Sequence, residues 1–262
     1  DIPFGLASLT KLFIVAGAQI ALREEGGFEK HTITFGAPKD LTASQILHYE
    51  SCTPHVFKGK DVTNITLNIP DAIRSQMTVS ANPVSYQLWD RLRSFFQIDT
   101  LDDLVQKIKP YAKIPKNSVS PSGNDSSGMN SAKRCNPNAK TPEERNDHKA
   151  TAGSIARIFN FITDLFTPED IRILSEHHQK IGPLTASNTS PYLGYRGLSP
   201  QGKTGTVTGI AAGVFRVQKM DGIYPDYTFV LNCTTSHARK MAGQNLIDRY
   251  SFGIRPLDFS TV

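Results

Sequence analysis

The stretch DIPFGLASLTKLF, residues 1–13, sets Ser8 and Lys11 three apart at the head of a long apolar run. From Ser8 to Leu22 the sequence is apolar almost all round, and Arg23, two glutamates and the pair Gly26-Gly27 follow it. This pattern predicts a buried helix closed by glycine. On one helical face a lysine three residues beyond a serine lies about one turn away, close enough for its amine to take the hydroxyl proton. Alone, the Ser-x-x-Lys spacing arises by chance in most chains of this length, and a serine at a helix start also serves as an N-cap.

Two further stretches bear on Ser8. Ser80-Ala81-Asn82 stands between Val79 and Pro83 at the entrance to a predicted helix. It reads either as a cap with a turn proline or as a hydroxyl that relays protons to a leaving group beside an amide that holds substrate and Lys11. Lys203-Thr204-Gly205-Thr206 follows Pro200-Gln201-Gly202 and leads straight into a strand. It reads either as a surface turn or as an edge strand bordering a site. There Gly205 admits close backbone approach, Lys203 and Thr204 hold a carboxylate, and the Thr206 amide faces a developing oxyanion.

In this order, Ser-x-x-Lys, Ser-x-Asn and Lys-Thr-Gly make the sequence resemble the penicillin-recognising serine hydrolases: serine β-lactamases, penicillin-binding D-alanyl-D-alanine peptidases and related esterases. The Pro3-Phe4 lead into ASLTK, the VSANPVSYQLWDRL helix, the TAGSIARIFNFI helix and the KTGT strand carry the resemblance over nearly the whole chain. It implies a β-lactamase/transpeptidase-like α+β fold, with an antiparallel sheet flanked by helices and an all-helical lobe. It also implies that Ser8 is acylated and that Lys11 is its base or proton shuttle. Ser80 and Asn82 would be the second polar pair, and Lys203, Thr204 and Gly205 the carboxylate-binding strand. The Ser8 and Thr206 amides would form the oxyanion hole. The substrate would be a small molecule or peptide such as a D-alanyl peptide, a β-lactam or a related amide, with a cell-wall origin in view. No cofactor is implied, and a secreted or periplasmic setting is favoured.

Several features depart from that pattern. Ala81 stands where one β-lactamase class carries Asp, and Val79 or Ser80 where another class and many esterases carry Tyr. HYESCTPH at 48–55 is similar to an esterase segment. Glu143 and Glu144 precede Asn146 at the wrong spacing for a deacylating Glu-x-x-x-Asn, which favours slow turnover of β-lactams. Only seven residues precede Ser8, so the N-terminal strands of the sheet are expected to be missing or reduced, in a chain that is processed, trimmed or excerpted. A catalytically degenerate relative that binds a ligand or partner, and an esterase or transesterase, stay open beside the hydrolase reading.

The rest of the 262 residues fits one domain of two lobes, helical from about 8 to 185 and sheet from about 195 to 262. Helices are predicted over 41–51, with Thr42 or Ser44 as cap, over 81–95, over 98–108 with Thr100 as cap, over 151–166, and over 167–180 opened by Thr167-Pro168-Glu169. Residues 116–147 are rich in Ser, Asn, Gly and Pro and predict a long loop that either borders a site or is disordered. After Gly205 a hairpin turning at Met220-Asp221-Gly222 and a closing helix, HARKMAGQNLIDRYSF, are expected. Residues 53–78 show no readable pattern.

Net charge is +5, but the Lys and Arg residues are scattered with no basic stripe, which argues against a nucleic-acid partner. No apolar run approaches the roughly 18 residues of a membrane span. Cys52, Cys135 and Cys233 lack metal-ligand spacing, so no metal is expected and at most one disulfide can form. Asn-x-Ser/Thr sequons begin at Asn64, Asn124, Asn188 and Asn232, and they leave the compartment open.

Overall fold

A computed structural model describes residues 2–24, 26–120, 148–181, 198–207, 210–219 and 227–233, together with positions 235, 238, 241 and 242. The apolar run after Ser8 forms a 3-10 turn, Ala7–Thr10, that passes directly into helix α1, Lys11–Glu24. Every residue from Lys11 to Ala21 is buried. Burying Leu12, Phe13, Ile14 and Val15 contributes about 1.5–3 kcal/mol for each side chain. An all-round apolar helix must be covered on all sides, and α1 is packed by α4 (Ile69–Met77), α5 (Asn82–Phe96), α6 (Leu101–Ala112) and α7 (Ala152–Asp164). Gly17 lets α5 and α6 approach, since a Cβ there would lie 2.8 Å from Leu104 Cδ1 and 3.4 Å from Leu92 Cδ1.

Three helix starts follow the predicted chemistry, at Thr42, Thr100 and Thr167, and Thr151 adds a fourth cap that was not predicted. Thr42 caps α2 (Ala43–Cys52) in a capping box with Gln45, and Thr100 caps α6 in one with Asp103. Thr151 caps α7, and Thr167 and Asp170 bond reciprocally at the start of α8 (Pro168–Ile181). The HYESCTPH stretch spans the end of α2 and the start of the short helix α3 (Pro54–Phe57), where His55 Nε2 meets Glu176 Oε2 of α8 at 2.7 Å. Arg74 of α4 binds Asp170 at 2.7 Å and Asp71 at 3.0 Å. Burial opposes the Arg74 charge, but the two carboxylates outweigh it and raise its proton affinity. The unreadable stretch 53–78 thus holds α3, strand β3 and α4. Strand β3 (Ile65–Asn68) pairs antiparallel with β2 (Thr32–Phe35) across twenty-nine intervening residues, in which no turn signal announces the pairing.

Three antiparallel strands form the main sheet in the order β6-β7-β8: Leu198–Val207, Ile210–Lys219 and Tyr227–Cys233. The stretch after Gly205, TVTGIAAGVFRVQK, falls on two of these strands, β6 and β7. The chain reverses between Val207 and Ile210, which face each other in the ladder, and Lys203-Thr204-Gly205 lies within β6, as its edge-strand reading expects and its surface-turn reading does not. Ile210, Ala212 and Val214 of β7 join the same apolar core as α1. The predicted turn at 220–222 and nearly all of the closing helix lie outside the described residues, as does most of the 116–147 loop.

A small third sheet, ordered β1-β5-β4, pairs Phe4–Gly5 with Lys149–Ala150 and that strand with Val119–Ser120. It ties both ends of the polar loop to the strand that immediately precedes the Ser8 turn.

Candidate active site

Ser8 sits on the 3-10 turn, where side chains at i and i+3 eclipse, so Ser8 and Lys11 leave the backbone on one side. The turn is over-determined. Leu6 N–H donates to His148 O at 2.9 Å, Leu9 N–H to Leu6 O at 2.9 Å, and Thr10 Oγ1 to Ala7 O at 2.8 Å. Ala7, directly before Ser8, has φ of 46°, a left-handed conformation that a non-glycine residue adopts only under such constraint. Ser8 is half-buried, and among the described residues its hydroxyl forms no hydrogen bond.

Lys11 is 3% exposed and turns its amine to the second motif. Nζ donates to Ser80 O at 2.5 Å, to Ser80 Oγ at 2.9 Å and to Asn82 Oδ1 at 2.6 Å. These acceptors replace the hydration that the buried ammonium has lost. Among the described residues Lys11 and Ser8 share no hydrogen bond, and the Ser80 turn and Asn82 hold the amine.

Ser80 is not a helix cap. The N-cap of α5 is Ala81, with no side-chain cap bond, and Ser80 takes φ of 56°. That geometry directs both its carbonyl and its hydroxyl to Lys11. Lys203, also 3% exposed, reaches the same hydroxyl from β6, with Nζ 2.9 Å from Ser80 Oγ and 2.7 Å from Thr204 O. Two amines thus converge on one oxygen.

Gly205 completes the meeting of the three motifs. A Cβ there would stand 2.4 Å from Leu6 O, 2.8 Å from Leu9 N and 2.9 Å from Ser8 N, so β6 lies flush against the backbone of the Ser8 turn. Thr206 follows on β6, opposite Ala211 in the ladder. Among the described residues, then, Ser8, Lys11, Ser80, Asn82, Lys203, Thr204 and Gly205 come together from three distant parts of the chain.

Sequence reading missed the supports of this site. Gln76 and Ser85, both wholly buried, bond each other and the Ala81 carbonyl behind the Ser80 turn. His148 holds Leu6 through its backbone, a role that no side-chain pattern announces. The signal for Gln76 was a polar residue on the apolar side of 69–77, in the stretch that periodicity could not resolve.

No family model matches the chain, and no curated protein matches it in sequence. Its structure is similar to solved structures over nearly its whole length. A peptidoglycan synthesis regulatory factor (PBP3) from Streptococcus pneumoniae is 18% identical, with 96% of this chain and 73% of that chain covered at a TM-score of 0.57. A carbapenemase from Vibrio cholerae is 14% identical, with 95% and 87% covered at 0.56. A β-lactamase from Sphaerobacter thermophilus is 15% identical, with 98% and 86% covered at 0.55. The chain therefore has the fold of the penicillin-recognising serine hydrolases. Among the described residues no helix is long and apolar enough to cross a membrane.

Proposed function

We propose that the protein is a serine hydrolase or acyltransferase that forms an acyl-enzyme on Ser8, with a D-alanyl peptide, a β-lactam or a related amide as acyl donor. The observation that carries this reading is the shared hydrogen bonding of Lys11 and Lys203 to Ser80 Oγ beside the Ser8 turn. Each nitrogen is 2.9 Å from that oxygen, so the amines lie within twice that distance of each other. Two unit positive charges about 6 Å apart repel by roughly 3 kcal/mol at an effective dielectric near 20. Release of one proton removes that repulsion, and a neutral Lys11 amine can then accept a proton from Ser8.

In this reading the reaction runs in two stages. Ser8 Oγ attacks the acyl carbon as its proton passes to Lys11, and the Ser8 and Thr206 amides hold the oxyanion. Ser80, hydrogen-bonded to Lys11, hands a proton to the departing nitrogen as the carbon–nitrogen bond breaks, leaving an ester on Ser8. Lys203 and Thr204 attract a substrate carboxylate. Water or a second amine then releases the acyl group.

The test is a panel of nitrocefin, a D-alanyl dipeptide and a nitrophenyl ester, run with the protein and with Ser8→Ala. Turnover of at least one donor, lost in Ser8→Ala, is expected. Absence of any Ser8-dependent reaction would overturn the reading in favour of a non-catalytic relative, and turnover of the ester alone would move it to an esterase.

A further inference from the structure

We infer that Gln76 is a positioning residue, which with Ser85 holds the Ser80 hydroxyl between the two lysines; this rests on the reading of the site as an acyl-transfer centre. A left-handed Ser80 costs about 1–2 kcal/mol against ordinary backbone and must be held by its surroundings. Between Ser80 and Asn82 the chain offers only Ala81, whose methyl group can tether nothing. The tether comes from α4. Ser80 N–H donates to Ser75 O at 2.9 Å, and Gln76 Nε2 donates to Ala81 O at 2.9 Å.

The orientation of the Gln76 amide follows from its partners. A carbonyl cannot donate, so the amide nitrogen must face Ala81, and Oε1 must then face Ser85 Oγ, which donates to it at 2.5 Å. Gln76, Ala81 and Ser85 are all 0% exposed, so water cannot stand in for any of these bonds. The peptide between Ser80 and Asn82 is thereby fixed from behind. Its two neighbours are the residues that bond Lys11 Nζ at 2.9 and 2.6 Å. Gln76 touches no reacting atom in this arrangement and acts through Ser80 and Asn82.

The experiment compares Gln76→Met, which keeps volume but cannot donate, Ser85→Ala, the double variant, and Ile33→Val as a core control. Acylation by a fluorescent penicillin is resolved into binding and chemical steps across pH. In parallel, the Cε resonances of Lys11 and Lys203 are titrated in protein carrying 13C-lysine, which needs no acyl donor. In Gln76→Met the chemical step is expected to slow by about tenfold to a hundredfold, with binding unchanged and its pH profile displaced. Both lysine titrations should move, the double variant should resemble Gln76→Met alone, and Ile33→Val should leave all of these unchanged.

Unmoved lysine titrations in Gln76→Met overturn the inference. If that variant fails to fold, unmoved titrations in Ser85→Ala do so. A wild type that penicillin does not acylate, but whose lysine titrations respond to Gln76, upholds the positioning role and counts against the proposed activity.

Discussion

Gly205 shows how one missing side chain joins two distant segments. With backbone atoms of Leu6, Ser8 and Leu9 all inside 3 Å of a would-be Cβ, nothing flexible can give way, and Gly205→Ala must push β6 off the Ser8 turn. The expected cost is about 1–3 kcal/mol of stability from overpacking. Acylation should fall by roughly a hundredfold, because Lys203 moves with the strand that carries it. A denaturant melt and an acylation time course read the two effects separately. Acylation at the wild-type rate would contradict the close approach. The residue types of the site were legible because lysine, serine and glycine at fixed intervals carry chemistry that can be named. The bond from Lys11 to Asn82 was legible in the Ser-x-Asn stretch, whereas those to the Ser80 carbonyl and hydroxyl were not. The choice between Ser8 and Ser80 depends on left-handed backbone at Ala7 and Ser80, which an alanine and a serine do not advertise.

At the scale of elements, the helices were legible where local chemistry closes them. Thr42, Thr100, Thr151 and Thr167 each sit one residue before an apolar-periodic run. Strands that pair across long separations were not legible, since the β2–β3 ladder and the two-residue strands β1, β4 and β5 depend on partners far along the chain. The capping box of α6 gives a pH prediction. Hydrogen bonds from the Thr100 hydroxyl and backbone to Asp103 lower its carboxyl below the ordinary range. Its charge therefore stabilises the fold fully above the ordinary carboxylate value, near 4, and that contribution is lost as pH falls through the lowered value. Asp103→Asn, which keeps an acceptor but not the charge, should shrink the loss of Tm between about pH 6 and pH 3 relative to wild type. An unchanged loss would show that the box does not contribute to acid sensitivity.

Over the whole molecule, one buried helix organises both the core and the candidate chemistry. Helix α1 is enclosed by four others, its first residue is Lys11, and the turn before it presents Ser8 against the edge strand β6. The small β1-β5-β4 sheet anchors that turn from the other side, beside the ends of the long polar loop. A rigid scaffold of this kind holds a nucleophile without requiring it to move far, which is the use this fold would make of an apolar helix. The order of the three motifs was enough to reach the fold from sequence, whereas their convergence on Ser80 Oγ needed coordinates. The most direct test of the central claim is the intact mass of the protein after incubation with a penicillin, followed by peptide mapping of the adduct. The account predicts a gain of one antibiotic mass, located on Ser8 and absent from Ser8→Ala. An adduct on any other residue, or none in a folded protein, would contradict it.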